Sequence, residues 1–192
     1  VTSHQSRGDQ PVIKLAHPII EDDEKRAVID ALESGQLAQG PRVAAFEQAF
    51  AAYAGTKHAV AVANGTAALH LALLAHGIGS AASPQRPTTN DQRPDEVIVP
   101  AFSFAASANT ALLAGARPVF VDVRDDDFGI DAAAIEAAIT PHTRAVIAVH
   151  LYGQMCDIDA VGAICKRHNL VLIEDAAQAV GASMRGQRAG AA

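Results

Sequence analysis

The stretch that decides the fold reads RPVFVDV (117–123), DAAAIEAAI (131–139), TRAVIAVHLYG (143–153), DIDAVGAICKRHN (157–169) and LVLIEDAA (170–177). Short runs that are almost wholly apolar alternate with segments of helical character. A strand covered on both faces needs no polar alternation. Apolar strands separated by helices therefore predict a largely parallel sheet with helices on both sides. Crossovers in such a sheet are right-handed. Toward the N-terminus, EVIVP (96–100) predicts another strand and SFAASANTALLAG (103–115) a helix. GTAALHLALLAHG (65–77) predicts an Ala/Leu helix, and HAVAVAN (58–64) a short strand. The expectation is an α/β fold with three layers, α/β/α, around a mostly parallel sheet.

Two further helices are predicted upstream. Asp23 to Ser34 carries Val28, Ile29 and Leu32 on one face, and Pro41 to Tyr53 carries Val43, Phe46, Phe50 and Tyr53. Pro41 suits a helix start, and Asp131 suits the N-cap of the helix at 131–139. Ser34 to Pro41 forms a loop between the two helices, with Gly35 and Gly40 at its ends. SAASPQRPTTNDQRP (80–94) holds three prolines and almost nothing apolar, which predicts a mobile surface insertion. It joins a helix to the next strand, so it is expected at the amino edge of the sheet, away from the carboxyl edge where α/β proteins bind ligands. The final MRGQRAGAA reads as a turn leading into more protein, and the domain is expected to be truncated. The domain reading is an N-terminal segment over 1–22 and a partial large domain over 23–192.

Composition narrows the class. The chain has 192 residues, of which 49% are hydrophobic and 19% charged, enough apolar material for a core and too little charge for a disordered tail. The net charge of −6 argues against nucleic acid as a partner. No apolar run is long enough to cross a bilayer, and the N-terminus lacks the apolar centre of a signal peptide. A cytoplasmic protein is the expectation. Cys156 and Cys165 match no redox or zinc spacing and read as reduced, mostly buried thiols; no metal site is expected.

Three strand ends carry candidate chemistry. Asp175, in Glu174-Asp175-Ala176-Ala177-Gln178, stands at the ligand-binding edge, either as a ligand group or as a cap of the next turn. Asn64-Gly65-Thr66-Ala67 opens a helix whose free N–H groups suit a phosphate, although a plain N-cap by Thr66 or Asn64 reads equally well. Phe102 and Phe104 follow the strand at 96–100; they pack in the core, or one ring stacks on a flat ligand. A phosphate cradle, an aromatic plate and a carboxylate together suit a flat, phosphorylated, cationic heterocycle. The carboxylate would keep a pyridinium nitrogen protonated.

The order NGTAALHLAL, DEVIVPAFSFAASAN, ARPVFVDV, AVHLYGQ and IEDAAQAVGA, with SGQLAQGPRVAAFEQAFAAYAGTKHAVAV upstream, resembles the N-terminal half of the DegT/StrS family. These are aminotransferases of fold type I that depend on pyridoxal 5′-phosphate (PLP). They act on nucleotide-linked keto-sugars in polysaccharide and antibiotic-sugar biosynthesis. The resemblance runs from about Ile20 onward. It implies that Gly65, Thr66 and Ala67 hold the PLP phosphate, Phe104 stacks on the ring, Asp175 pairs with the ring nitrogen and Gln178 bonds the phenolic oxygen. The loop Gly35 to Gly40 resembles a segment lining the entrance, while His150-Leu151-Tyr152-Gly153 matches a strand end near the site without an assigned role. The resemblance further implies a nucleotide-sugar substrate, an amino-acid donor, commonly glutamate, and a homodimer in the complete protein.

Two features depart from the family pattern. One is the insertion at 80–94. The other is the catalytic lysine, which the resemblance places after Ala192 together with the C-terminal small domain. Lys14, Lys25, Lys57 and Lys166 all read as surface lysines, so no catalytic residue is expected within the chain. Two alternatives follow: a sugar dehydratase of the same fold, with histidine in place of the lysine, or a non-catalytic truncated or regulatory protein. A Rossmann dinucleotide domain is disfavoured, because no GxGxxG follows the first strand.

Overall fold

The computed structural model describes residues 18–79 and 93–191. By internal contacts the chain separates into two units, one ending at Arg42 and one running from Val43.

In the first unit, helix α1 spans Asp22–Glu33. Its start is a capping box: the Glu24 carboxylate accepts from the Glu21 N–H at 2.8 Å, and the Glu21 side chain accepts from the third helical residue. Asp22, Asp23 and Glu24 fill the first turn, where the helix dipole favours negative charge. The apolar face exists as predicted, but Val28, Ile29 and Leu32 are all more than half exposed and the helix buries no residue.

The second unit holds the sheet. After α2 (Pro41–Ala54) and α3 (Gly65–Ala75), strands and helices alternate as β1 (Glu96–Pro100), α4 (Ala106–Leu113), β2 (Arg117–Val121), α5 (Ala132–Ala138), β3 (Thr143–Val149), α6 (Ile158–His168) and β4 (Val171–Asp175). The strand order is β2-β1-β3-β4, and every pairing is parallel. Side chains alternate across the sheet, which fixes the layers. Val97 and Val99 of β1 join Ala145, Ile147 and Val149 of β3 beneath α3 and α4. Ile98, Val146 and Ala148 face the opposite way, toward α5 and α6. Both faces are covered, which explains why these strands carry no polar alternation. The α/β/α architecture is the one expected.

The N-cap expected at Asp131 forms, and α6 carries its own cap and stop. Asp131 caps α5 by accepting from the Ala133 N–H at 2.8 Å. Asp157 caps α6 by accepting from Ala160 at 3.2 Å, and Asn169 ends that helix in a left-handed conformation at φ 53°. The terminal turn is a hairpin, β5 (Ser183–Met184) with β6 (Gln187–Arg188), reversed through Arg185 and Gly186, both at positive φ.

One element differs from expectation. HAVAVAN forms no strand; Val60 is 79% exposed, and none of the described strands pairs with this segment. Strand identity is a property of a pair of chains, and alternation without a neighbour leaves only extended backbone. The Ala61 N–H is satisfied instead by the Glu47 carboxylate of α2 at 2.8 Å.

Residues 80–92 of the insertion lie outside the described residues. Its anchors lie at the amino edge of the sheet. The Gly79 N–H donates to Asp95 at 2.9 Å, and Glu96, which follows, opens β1. Gly79 sits at φ 83°, and a Cβ there would lie 2.3 Å from the Ala114 carbonyl oxygen. Glu96 itself is buried beside Arg117, Thr140 and Thr143. Burial pushes its carboxyl up, but the hydrogen bonds from Thr140 and Arg117, together with the Arg117 charge, outweigh this and hold it below the ordinary value.

Candidate cofactor site at the carboxyl edge of the sheet

Three chain segments meet at the carboxyl ends of the strands: the start of α3, the segment leading from β1 into α4, and the end of β4. They enclose a cavity of about 290 Å³, near the lower end of the roughly 300–1,000 Å³ usual for small-molecule sites. Gly65, Thr66, Phe104, Asp175 and Gln178 all line it. Asn64, Leu69, Ser103, Ala106, Val149 and Ala177 complete the wall. Every lining residue belongs to the second unit.

Asp175 is the last residue of β4, paired with Val149 of β3. Its backbone is fixed by the His150 N–H, which donates to the Asp175 carbonyl at 3.0 Å. Its side chain is fixed at both oxygens: Oδ1 accepts from the Ala177 N–H at 3.2 Å, and Oδ2 accepts from the Ser107 hydroxyl at 3.2 Å. A carboxylate has about four lone-pair sites, so acceptor capacity remains for a ligand. The reading of Asp175 as a cap of the following turn is realised, and it leaves acceptor capacity for the reading as a ligand group.

Gln178 is oriented by a backbone donor. The Tyr152 N–H donates to Gln178 Oε1 at 3.2 Å. With its oxygen engaged, the amide presents its NH₂ group as a donor. Tyr152 and Gly153 both take positive φ, 54° and 83°, in the turn that follows β3. Left-handed backbone is costly for a bulky side chain, and here it occurs at the residue whose N–H holds Gln178.

At α3 the N-cap read for Asn64 is the one that forms. The Asn64 side chain accepts from the Ala67 N–H at 2.9 Å, so that donor is already engaged, and Ala67 does not line the cavity. Gly65 and Thr66 do, and their N–H groups precede the helical hydrogen-bond ladder. A Cβ on Gly65 would meet no protein atom within 4 Å, so packing does not demand glycine there. The bare backbone leaves space for a ligand.

The two phenylalanines separate. Phe102 packs on Phe128 with ring centroids 5.8 Å apart, whereas Phe104 lines the cavity and is 72% exposed. His150 is fully buried and does not line the cavity. Its Nδ1 accepts from the Cys156 N–H at 3.2 Å and its Nε2 lies 2.8 Å from Glu174. An accepting Nδ1 places the proton on Nε2, directed at the Glu174 carboxylate. Burial first, and the Glu174 charge second, push the Cys156 thiol up to about 12. Cys165, also buried and free, is pushed up to about 11 by burial.

Sequence reasoning passed over Ser103 and Ser107. The available signal was a pair of hydroxyls four residues apart in an Ala-rich segment, one helical turn bearing polar groups on a single face. Among the described residues no lysine lines the cavity, and Lys25, Lys57 and Lys166 are all exposed; Lys14 lies outside the described residues. Among the described residues there is no group of three or more His, Cys, Asp or Glu suited to a metal ion, and no helix long and apolar enough to cross a membrane.

A donor-rich helix start, an exposed aromatic face, an oriented amide and a doubly held carboxylate fit a phosphorylated pyridinium. A family model described as the DegT/DnrJ/EryC1/StrS aminotransferase family matches residues 18–192. The chain belongs to the DegT/DnrJ/EryC1/StrS aminotransferase family. Among relatives of this DegT-family chain, GDP-perosamine synthase of Caulobacter vibrioides is 46% identical over 183 residues, covering 95% of the chain and 46% of the synthase. NtdA of Bacillus subtilis, solved with bound cofactor PMP, superposes with a TM-score of 0.76 at 34% identity, over 88% of the chain and 37% of NtdA. DesI, solved in the presence of its TDP-sugar product, gives 0.74 at 36% identity, over 86% of the chain and 39% of DesI. The DegT-family chain therefore spans less than half the length of these proteins. Its fold is that of PLP-dependent aminotransferases of fold type I.

Proposed function

We propose that this chain is the cofactor-holding part of a PLP-dependent aminotransferase that moves an amino group from an amino acid, glutamate being the expected donor, to a nucleotide-linked keto-sugar. The observation that carries the proposal is Asp175: a carboxylate at a strand end, held by two neutral donors, in one cavity with Phe104 and the start of α3. Family membership and relatives named for sugar nucleotides support the substrate class.

Bound in this cavity, the cofactor would supply an electron sink for the exchange of an amino group. The chain's own residues bind and orient it. The N–H groups of Gly65 and Thr66, with the Thr66 hydroxyl, hold the phosphate at the positive end of α3. Phe104 covers one face of the ring. Asp175 keeps the ring nitrogen protonated, and the Gln178 amide donates to the phenolic oxygen. The amine that would carry protons to and from the substrate carbon is not among the residues lining this cavity.

Titration of the chain with pyridoxamine phosphate (PMP) tests the site. Saturable binding is expected, with competition by inorganic phosphate. Asp175→Asn should weaken it by about tenfold or more, the loss typical of a hydrogen bond between charged groups. An absence of saturable binding, or indifference to Asp175→Asn, would refute the assignment. For the substrate class, a longer protein containing this chain should release 2-oxoglutarate when given glutamate and a nucleotide-linked keto-sugar.

A further inference from the structure

We infer that Ser107, backed by Ser103, is a positioning residue that sets the Asp175 carboxylate for a cationic ring nitrogen. The inference rests on the cofactor reading above and assigns a role to two side chains outside it.

Ser107 lies in the first turn of α4 and is 1% exposed. It does not line the cavity, so it acts through another group. Its hydroxyl lies 3.2 Å from Asp175 Oδ2, and a carboxylate can only accept, so the Ser107 proton points at Asp175. Ser103 Oγ lies 3.0 Å from Ser107 Oγ. A hydroxyl has one proton, and that of Ser107 is spent, so Ser103 must donate to Ser107. The direction of the chain is thereby settled: Ser103 to Ser107 to Asp175. Each bond polarises the next, and the last falls on the charged oxygen.

The chemical type of the holding groups matters. Asp175 contacts a serine hydroxyl on one oxygen and a backbone N–H on the other. Both donate to the carboxylate and fix its plane. Neither brings a charge of its own, so the full negative charge is left for a cationic ligand. An arginine or lysine in the place of Ser107 would orient Asp175 equally well and neutralise it. The cost of burying the Ser107 hydroxyl is met by this contact.

Two ligands separate this role from a packing role: PMP, and its analogue with CH in place of the ring nitrogen. Calorimetric titration of the 192-residue chain should show Ser107→Ala weakening PMP binding by about tenfold, with analogue binding changed less than about twofold. Ser107→Thr keeps the hydroxyl and should restore PMP binding. Ser103→Ala should give a smaller loss with the same selectivity, and it decides the matter should Ser107→Ala fail to fold. Equal losses for both ligands, or no loss for either, overturn the inference. Asp175→Asn distinguishes the two levels. A selective loss there without one in Ser107→Ala refutes the serine relay alone. No selective loss in Asp175→Asn, or no PMP binding by the unaltered chain, refutes the cofactor reading and the relay with it.

Discussion

At the residue scale, two carboxylates on one sheet have opposite tasks, set by their company. Glu96 at the amino edge is matched by the Arg117 cation and by threonine hydroxyls, so its charge is consumed inside the protein. Asp175 at the carboxyl edge is held by neutral donors alone, which leaves acceptor capacity for the ligand proposed there. The Glu96 carboxyl is held below its ordinary value of 4.5. A lowered folded-state value contributes stability that is present above the unfolded value and lost as pH falls through the folded one. Chemical denaturation across this range should therefore show stability declining below about pH 4.5. In Glu96→Gln that decline should be shallower, on a chain already less stable at neutral pH. An unchanged acid slope would mean that Glu96 is not the titrating group. The thiols offer a second check. With Cys156 raised to about 12 and Cys165 to about 11, both should resist alkylation at pH 8 in the folded chain and react on unfolding.

At the element scale, what was legible in the sequence depended on whether the signal was local. Asp131 caps the helix it precedes as expected, because a cap needs only the next three residues. The apolar runs at 96–100, 143–149 and 171–175 became parallel strands, because burial on both faces dictates such runs. HAVAVAN carries the same alphabet and formed no strand, because pairing is not a local property. Asp175 and Phe104 follow strand ends that formed, and both line the cavity; Gly65 and Thr66 line it although the strand expected before them did not form, and Gln178, singled out only by the family resemblance, lines it too. The site was not legible at Ser107, whose partner lies 68 residues away; the Asn64 cap that engages the Ala67 N–H was among the readings open from the sequence. The start of α3 can be tested directly. Asn64→Ala should cost about 1 kcal/mol of stability through loss of the cap, read from denaturant melts. Gly79→Ala should cost more, about 2 kcal/mol, since it adds a positive-φ penalty to a clash with the Ala114 carbonyl. A wild-type melt for Gly79→Ala would show that the turn relaxes freely.

At the scale of the whole molecule, a parallel sheet gathers at one edge groups that are remote in sequence. Thr66, Phe104 and Asp175 share a cavity although more than a hundred residues separate the first from the last. The wall is drawn only from residues 64–178, within the second unit. A chain beginning at Gly40 should therefore bind PMP within about twofold of the 192-residue chain; a large loss with an unchanged melt would assign part of the site to the first unit. The central claim is that Asp175 holds a protonated ring nitrogen in this cavity. Its most direct test is the nitrogen-15 chemical shift of ring-labelled PMP bound to the chain. The account predicts a pyridinium shift that persists as pH is raised past the point where free PMP loses its ring proton, and that is lost in Asp175→Asn. A neutral pyridine shift in the unaltered chain, or a pyridinium shift that survives Asp175→Asn, would contradict it.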